Sequence, residues 1–204
     1  MPIKGSWIIW GALAVVAAVA GFSVAHRTAS SVPQLTSGTW LPQPRPIEDF
    51  TLTDEAGQPL TLQGLQGHPT LVFFGFTHCP DVCPTTLAKL AQTVKAAAIP
   101  NLSVLLVTVD PARDKPEQLN QYVHAFDPKF KGATGTPAEI DRFSREFGVA
   151  VARVDLGGGE YTMDHSAVVF LLDSQGRRVA LFTPPFEIPT LAADLRSVAD
   201  RIRS

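Results

Sequence analysis

The chain has 204 residues, 45% of them hydrophobic, and a formal net charge of −2, which is room for one ordinary domain plus an appendage, with enough apolar material for a core. Residues 1–45 hold Lys4, Arg27 and Arg45 and no acid, leaving 14 basic against 19 acidic residues in the remainder, a net of −5. A mildly acidic domain without a basic patch is a poor fit to nucleic acid.

Ile8 to Ala25 is a run of 18 positions without a charge, preceded by Lys4 and followed by His26 and Arg27. As a helix it would reach ~27 Å, close to the ~30 Å hydrocarbon core of a bilayer. It reads as an uncleaved membrane anchor, being longer than the ~7–15 residues of a signal-peptide core. The competing reading is a secretory signal, because Ser23-Val24-Ala25 offers small residues at the spacing of a cleavage site. Both readings export the domain. With few arginines and little serine before the run, a mitochondrial transit peptide is not evident, so the expected location is a bacterial inner membrane with the domain facing the periplasm. Pro33, Pro42, Pro44 and Pro46 then mark residues 28–46 as an extended, stiff spacer.

The folded domain is expected over 47–204. Phe50–Thr53 and Pro59–Leu62 flank Asp54–Gln58 as a hairpin. Thr70 to Phe76 and Ser103 to Val109 are short apolar runs that read as buried strands. Between them Leu87, Leu90, Ala91, Val94 and Ala98 recur at helical spacing, predicting a helix over 85–98. Pro116–Phe126 and Pro137–Phe147 read as helices that open on proline, the second capped by Thr136. Gly157-Gly158-Gly159 turns between two short strands, Ala167–Leu172 is another buried strand, and Asp173–Gly176 turns the chain into Arg178–Phe182. A last helix is expected over 188–202. Apolar strands alternating with helices predict a largely parallel central sheet covered on both faces, with an antiparallel edge: an α/β, thioredoxin-like fold entered by an N-terminal β-hairpin.

The only two cysteines are Cys79 and Cys83. They stand where such a fold keeps its reactive loop, between the first central strand and the next helix. Pro84 suits a helix start, and the helix dipole there favours thiolate, the form that attacks disulfides and binds metals. Three residues separate the pair. Positions four apart on a regular helix hold Cβ atoms ~5–6 Å apart, whereas a disulfide needs ~3.5–4.5 Å. The spacing therefore leans toward metal and leaves a redox pair open. A structural disulfide would close too short a loop to stabilise much, and a structural zinc site would want four protein ligands.

Two thiolates call for a third donor. His26 flanks the apolar run, His68 reads as a loop residue and His124 as a helix-surface residue. His78 is adjacent to Cys79, and neighbouring side chains diverge. His165, in Asp164-His165-Ser166 before a buried strand, stands where the loop facing the cysteines belongs and where thioredoxin-like folds commonly carry a cis-proline. Met163 could donate its sulfur but reads as a packing residue. Two thiolates and an imidazole suit copper as Cu(I) or Cu(II). Three protein ligands leave the ion free to pass to a partner.

The block Gly75-Phe76-Thr77-His78-Cys79-Pro80-Asp81-Val82-Cys83-Pro84, with Tyr161-Thr162-Met163-Asp164-His165-Ser166-Ala167 and Val107-Thr108-Val109-Asp110-Pro111-Ala112-Arg113-Asp114, resembles the Sco/SenC family of copper chaperones from about Phe50 to the C-terminus. The resemblance implies copper held by Cys79, Cys83 and His165. It implies delivery to the dinuclear copper centre of a cytochrome c oxidase subunit, with other copper chaperones or a thiol reductase as further partners. It equally implies a thiol–disulfide role in which Cys79 and Cys83 act as a redox pair toward that subunit. Asp110 and Asp164 are candidate groups to orient His165 or tune the thiolates. Gly132-Ala133-Thr134-Gly135 departs from the family's more usual Gly-Leu-Thr-Gly. A peroxidase of peroxiredoxin type shares the hairpin-first layout but fits these blocks less well.

Overall fold

The structure, a computed structural model, describes residues 32–203. The anchor expected over Ile8–Ala25 lies outside the described residues. Among those described, no helix is long and apolar enough to cross a membrane.

In chain order the strands are β1 (Gly38–Arg45), β2 (Thr51–Asp54), β3 (Pro59–Thr61), β4 (Thr70–Gly75), β5 (Ser103–Thr108), β6 (Lys131–Thr134), β7 (Val151–Gly157), β8 (Glu160–His165), β9 (Val169–Leu172) and β10 (Arg178–Phe182). The helices are α1 (Val82–Ala97), α2 (Pro116–His124), α3 (Pro137–Phe147), α4 (Ile188–Ser197) and α5 (Ala199–Ile202). A short 3-10 turn, Leu62–Leu65, follows β3.

β4 and β9 are buried at every position, which is why both read as unbroken apolar runs: a strand covered on two faces has no polar side. They lie side by side within one eight-stranded sheet of order β1-β10-β9-β4-β5-β6-β2-β3. Side chains alternate across β4. Phe74 meets Phe143 and Phe147 of α3 and Phe170 of β9, with ring centroids 5.9, 5.3 and 6.2 Å away. Gly75, of opposite parity, faces α1. Helix α3 therefore covers one face and α1 the other. α4 and the segment leading into it are tied to α1 by Arg196 donating to the Ala96 carbonyl at 2.9 Å and Lys89 Nζ to the carbonyl of Phe186, just before α4, at 2.9 Å. The expected Thr136 cap of α3 is present, and Glu139 completes it as a capping box: the Glu139 N–H donates to Thr136 Oγ1 at 3.3 Å and the Thr136 N–H to Glu139 Oε2 at 2.7 Å.

The structure corrects the expectation in four places. Only β4, β5 and β6 run parallel, and the remaining pairings in the large sheet are antiparallel, so the sheet is mixed rather than largely parallel. The stretch read as a spacer supplies β1, which pairs with β10, and just before it Asp194 accepts the N–H groups of Thr36 and Ser37 at 2.9 and 2.7 Å. Extended, proline-spaced chain is also suitable edge strand. β10 is consequently interior. Helix α1 begins at Val82, so Pro84 sits inside its first turn, where a missing N–H leaves nothing unsatisfied. The last helical stretch breaks at Val198, whose φ and ψ of −112° and 6° leave the helical region.

Candidate metal centre

The site forms where β4 hands the chain to α1. Asp81 stands at the N-cap of α1, yet its side chain makes no cap bond. The sulfur of Cys79 takes that role, accepting the N–H of Cys83 at 3.3 Å. Cys83, in the first turn, is wholly buried. Its sulfur packs against Gly75, where a Cβ would lie 3.0 Å from Sγ and 3.1 Å from Leu106 and Phe73 carbons. Glycine is the residue that leaves room for the sulfur.

His165 ends β8 and arrives from the far side of the sequence. Its Nε2 lies 3.5 Å from Cys83 Sγ across a separation of 82 positions. Nδ1 lies 3.3 Å from the Ser166 carbonyl. A proton on Nδ1 satisfies that carbonyl and leaves the Nε2 lone pair facing the sulfur. Phe73 and Phe76 flank the imidazole edge-on, each with its ring centroid 6.0 Å away.

Burial sets the protonation of both groups. It holds the His165 pKa below the ordinary imidazole value, against the opposing pull of the Ser166 carbonyl and the Asp164 charge, so the ring is neutral and able to ligate. Burial pushes the Cys83 thiol far up, with Cys79 and Asp114 adding to the rise and a backbone hydrogen bond from Phe76 opposing it. This reverses the expectation from the helix dipole: desolvation outweighs the helix end. Both cysteines are free. Cys79 is half-buried and lines a cleft of about 280 Å³ with Phe76, Val82, Met163 and His165.

The donor set and spacing fit a thiophilic ion. With metal–sulfur bonds of ~2.3 Å and metal–nitrogen bonds of ~2.0 Å, S and N on one tetrahedral ion lie ~3.5 Å apart. Among the described residues, no three His, Cys, Asp or Glu side chains are already drawn together as a cage. Cys83 and His165 stand at ligating separation, with Cys79 at the cleft.

The other candidates fall away from this point. His78 is exposed and turned to Thr77 Oγ1 at 3.0 Å and Asp114 Oδ1 at 3.6 Å. His68 lines a separate cleft beside Lys95 and Lys129, His124 closes α2, and His26 lies outside the described residues. Met163 packs partly buried against the core at the cleft wall. Asp164 is exposed and reaches His165 through its charge. Asp110 is buried and bonds to Arg113 and, at 2.9 Å, to the Tyr161 hydroxyl. With Arg113 also donating to the Tyr161 carbonyl at 3.1 Å, Asp110 anchors β8, the strand that carries His165, rather than the imidazole itself.

The group that holds the cysteine loop is Asp114, which the sequence reading quoted but gave no role. It is fully buried. It accepts the Thr77 N–H at 3.0 Å, the Thr77 hydroxyl at 2.6 Å and the Thr108 hydroxyl at 2.6 Å. A second aspartate after a strand end, four residues beyond Asp110, was the available signal.

Against known proteins, the family model described as SCO1/SenC matches residues 41–200. The SCO2-like protein of Rickettsia prowazekii is 38% identical over 137 residues, which cover 65% of this chain and 67% of that protein. The copper-bound ScoI of Bradyrhizobium japonicum is 37% identical, over 77% of this chain and 99% of that one, with a TM-score of 0.66. The copper-bound ScoI of Arabidopsis thaliana is 31% identical, over 76% of this chain and 98% of that one, with a TM-score of 0.72. Fold, cysteine loop and family match agree: the chain belongs to the SCO1/SenC family.

Proposed function

We propose that this protein is a copper chaperone that binds copper through Cys79, Cys83 and His165 and delivers it to the dinuclear copper centre of a cytochrome c oxidase subunit. The observation that carries the reading is the 3.5 Å approach of His165 Nε2 to Cys83 Sγ, beside a second thiol. Copper-bound relatives with the same fold support the choice of metal. In this reading the ion displaces the proton of Cys83, which desolvation otherwise keeps in place, and His165 offers its lone pair without first losing a proton. Cys79, at the open side of the cleft, is the ligand a partner reaches first. The uncharged run Ile8–Ala25 would tether the domain to a bacterial inner membrane on its periplasmic side.

A second reading rests on the difference between the two thiols. Cys79 is accessible and Cys83 is buried. A thiol–disulfide reductase would use the Cys79 thiolate to attack a partner disulfide. Cys83 would then break the mixed disulfide, releasing the partner's two thiols and leaving Cys79 and Cys83 oxidised, to be reset by an external dithiol. The chaperone reading needs His165 and this one does not.

Titration of the reduced protein with Cu(I) against a competing chelator tests the choice. The chaperone reading expects one copper per chain, loss of tight binding in Cys79→Ser and Cys83→Ser, and at least a ~100-fold weaker affinity in His165→Ala. Wild-type affinity in His165→Ala removes the histidine from the site and leaves the reductase reading.

A further inference from the structure

The β7–β8 hairpin forms a sheet of its own, outside the eight-stranded one. β7 is exposed along its whole length. It carries apolar side chains in water: Val154 is 43% and Leu156 65% exposed. An uncovered strand edge with apolar residues is a template for another strand.

The sequence of β7, Val-Ala-Arg-Val-Asp-Leu-Gly, says which strand fits. Turned antiparallel on itself about Val154, it sets Val154 opposite its own copy, Arg153 opposite Asp155, and Ala152 opposite Leu156. Side chains alternate between faces. One face of the pair then gathers Ala152, Val154 and Leu156 from both copies, and the other matches two arginines with two aspartates. Backbone polarity agrees with this register. The Ser166 N–H donates to the Ala150 carbonyl at 3.2 Å, and Ala150 lies one step before the Val151↔His165 pair. Alternation along an antiparallel ladder then turns the N–H and C=O groups of Arg153 and Asp155 to the outer edge. The Arg153–Asp155 matches would be the hydrogen-bonded pairs, and Val154 would meet its copy at the close, non-hydrogen-bonded position on the two-fold axis.

We propose that the outer edge of β7 is a self-association surface whose partner is the β7 of a second copy of this chain, joining two hairpins into a four-stranded antiparallel sheet. Arg153 already bonds Asp155 of its own strand at 3.0 Å and stacks on Tyr161 with its guanidinium carbon 3.8 Å from the ring centroid. Its five donors allow a second carboxylate. The contact is isologous, so it closes at two copies. Its area is that of one strand pair, so the dimer is weak and depends on concentration. Strand spacings of ~4.8 Å and a rise of ~3.4 Å per residue place the two His165 residues ~25 Å apart. The metal sites are therefore separate, and association does not depend on the function proposed above.

Sedimentation velocity on the full chain in dodecyl maltoside micelles tests this across a concentration series. The wild type is expected to pass from monomer to dimer. Arg153→Asp places carboxylate opposite carboxylate at both matched positions, Asp155→Arg places guanidinium opposite guanidinium, and each variant alone is expected to stay monomeric. Mixed in equal amounts, the two variants regain complementary charge at both positions, and the dimer is expected to return as a hetero-pair. That rescue separates charge matching from damage to the hairpin. A wild type that stays monomeric, a single variant that dimerises like the wild type, or a mixture that stays monomeric overturns the proposal.

Discussion

Replacing Asp114 with alanine tests how the cysteine loop is held. The carboxylate is fully buried and takes hydrogen bonds from the Thr77 N–H, the Thr77 hydroxyl and the Thr108 hydroxyl at 3.0, 2.6 and 2.6 Å. Alanine leaves all three donors without that acceptor. Hydrogen bonds to a charged group contribute ~1.5–3 kcal/mol each, but members of one network do not add, so the expected loss is ~3–5 kcal/mol, the range for breaking a buried charged network. Asparagine keeps one oxygen for the Thr77 N–H, and the hydroxyls can turn, so Asp114→Asn should lose about half as much. Urea unfolding of the reduced, copper-free protein measures both. With a slope of ~2 kcal/mol per molar, the alanine variant's midpoint should fall by ~2 M. Copper affinity should fall with it, because Thr77 lies two residues before Cys79. An alanine variant within ~1 kcal/mol of wild type would refute the assignment of Asp114 as the anchor of this loop.

Gly75→Ala should lose ~1–3 kcal/mol by overpacking and weaken copper binding, because the new Cβ would stand 3.0 Å from the Cys83 sulfur; thermal unfolding and copper titration read the two effects. Copper affinity should rise with pH across the neutral range. Burial raises the Cys83 pKa, so each ion bound displaces its proton, and proton release per copper bound, measured in weakly buffered solution, should be smaller in Cys83→Ser than in the wild type. In the metal-free protein, the depressed His165 pKa favours folding above the ordinary imidazole value, and this contribution is lost as pH falls below it; His165→Gln should flatten that part of the stability–pH curve. Thr136→Ala should cost ~1 kcal/mol by removing the cap of α3. Its carboxylate partner Glu139 is held below the usual range by Thr136, so the cost should shrink in acid as Glu139 protonates.

The site was legible where chemistry is concentrated in few residue types. Two cysteines at a strand-to-helix junction, and one histidine before a buried strand, mark three candidate positions without any knowledge of packing, and the fold brings His165 to Cys83. The buried strands β4, β5 and β9 were legible for the same reason: apolar runs have few alternatives. β6 was not, because Lys131-Gly132-Ala133-Thr134 has little strand preference. It forms a strand because β5 and β2 pair on either side of it and because Gly132 lets α2 approach, its missing Cβ position lying 3.0 Å from Leu119 Cβ. β1 was hidden by prolines that stiffen a spacer and an edge strand alike. The protonation of Cys83 was misread because the helix end is visible in the sequence and burial at its third dimension is not. Asp114 shows the same limit: its role depends on Thr77 and Thr108, 37 and 6 positions away, brought together only by the parallel pairing of β4 with β5.

The central claim is that both sulfurs and the His165 imidazole bind one copper ion. X-ray absorption at the copper edge, on the protein loaded with one equivalent of Cu(I) and compared with its His165→Ala variant, examines it most directly. The account predicts two sulfur neighbours and one imidazole nitrogen in the wild type, with the nitrogen and its ring scattering absent from the variant. Identical spectra, or a wild-type shell of sulfur without imidazole, would contradict it.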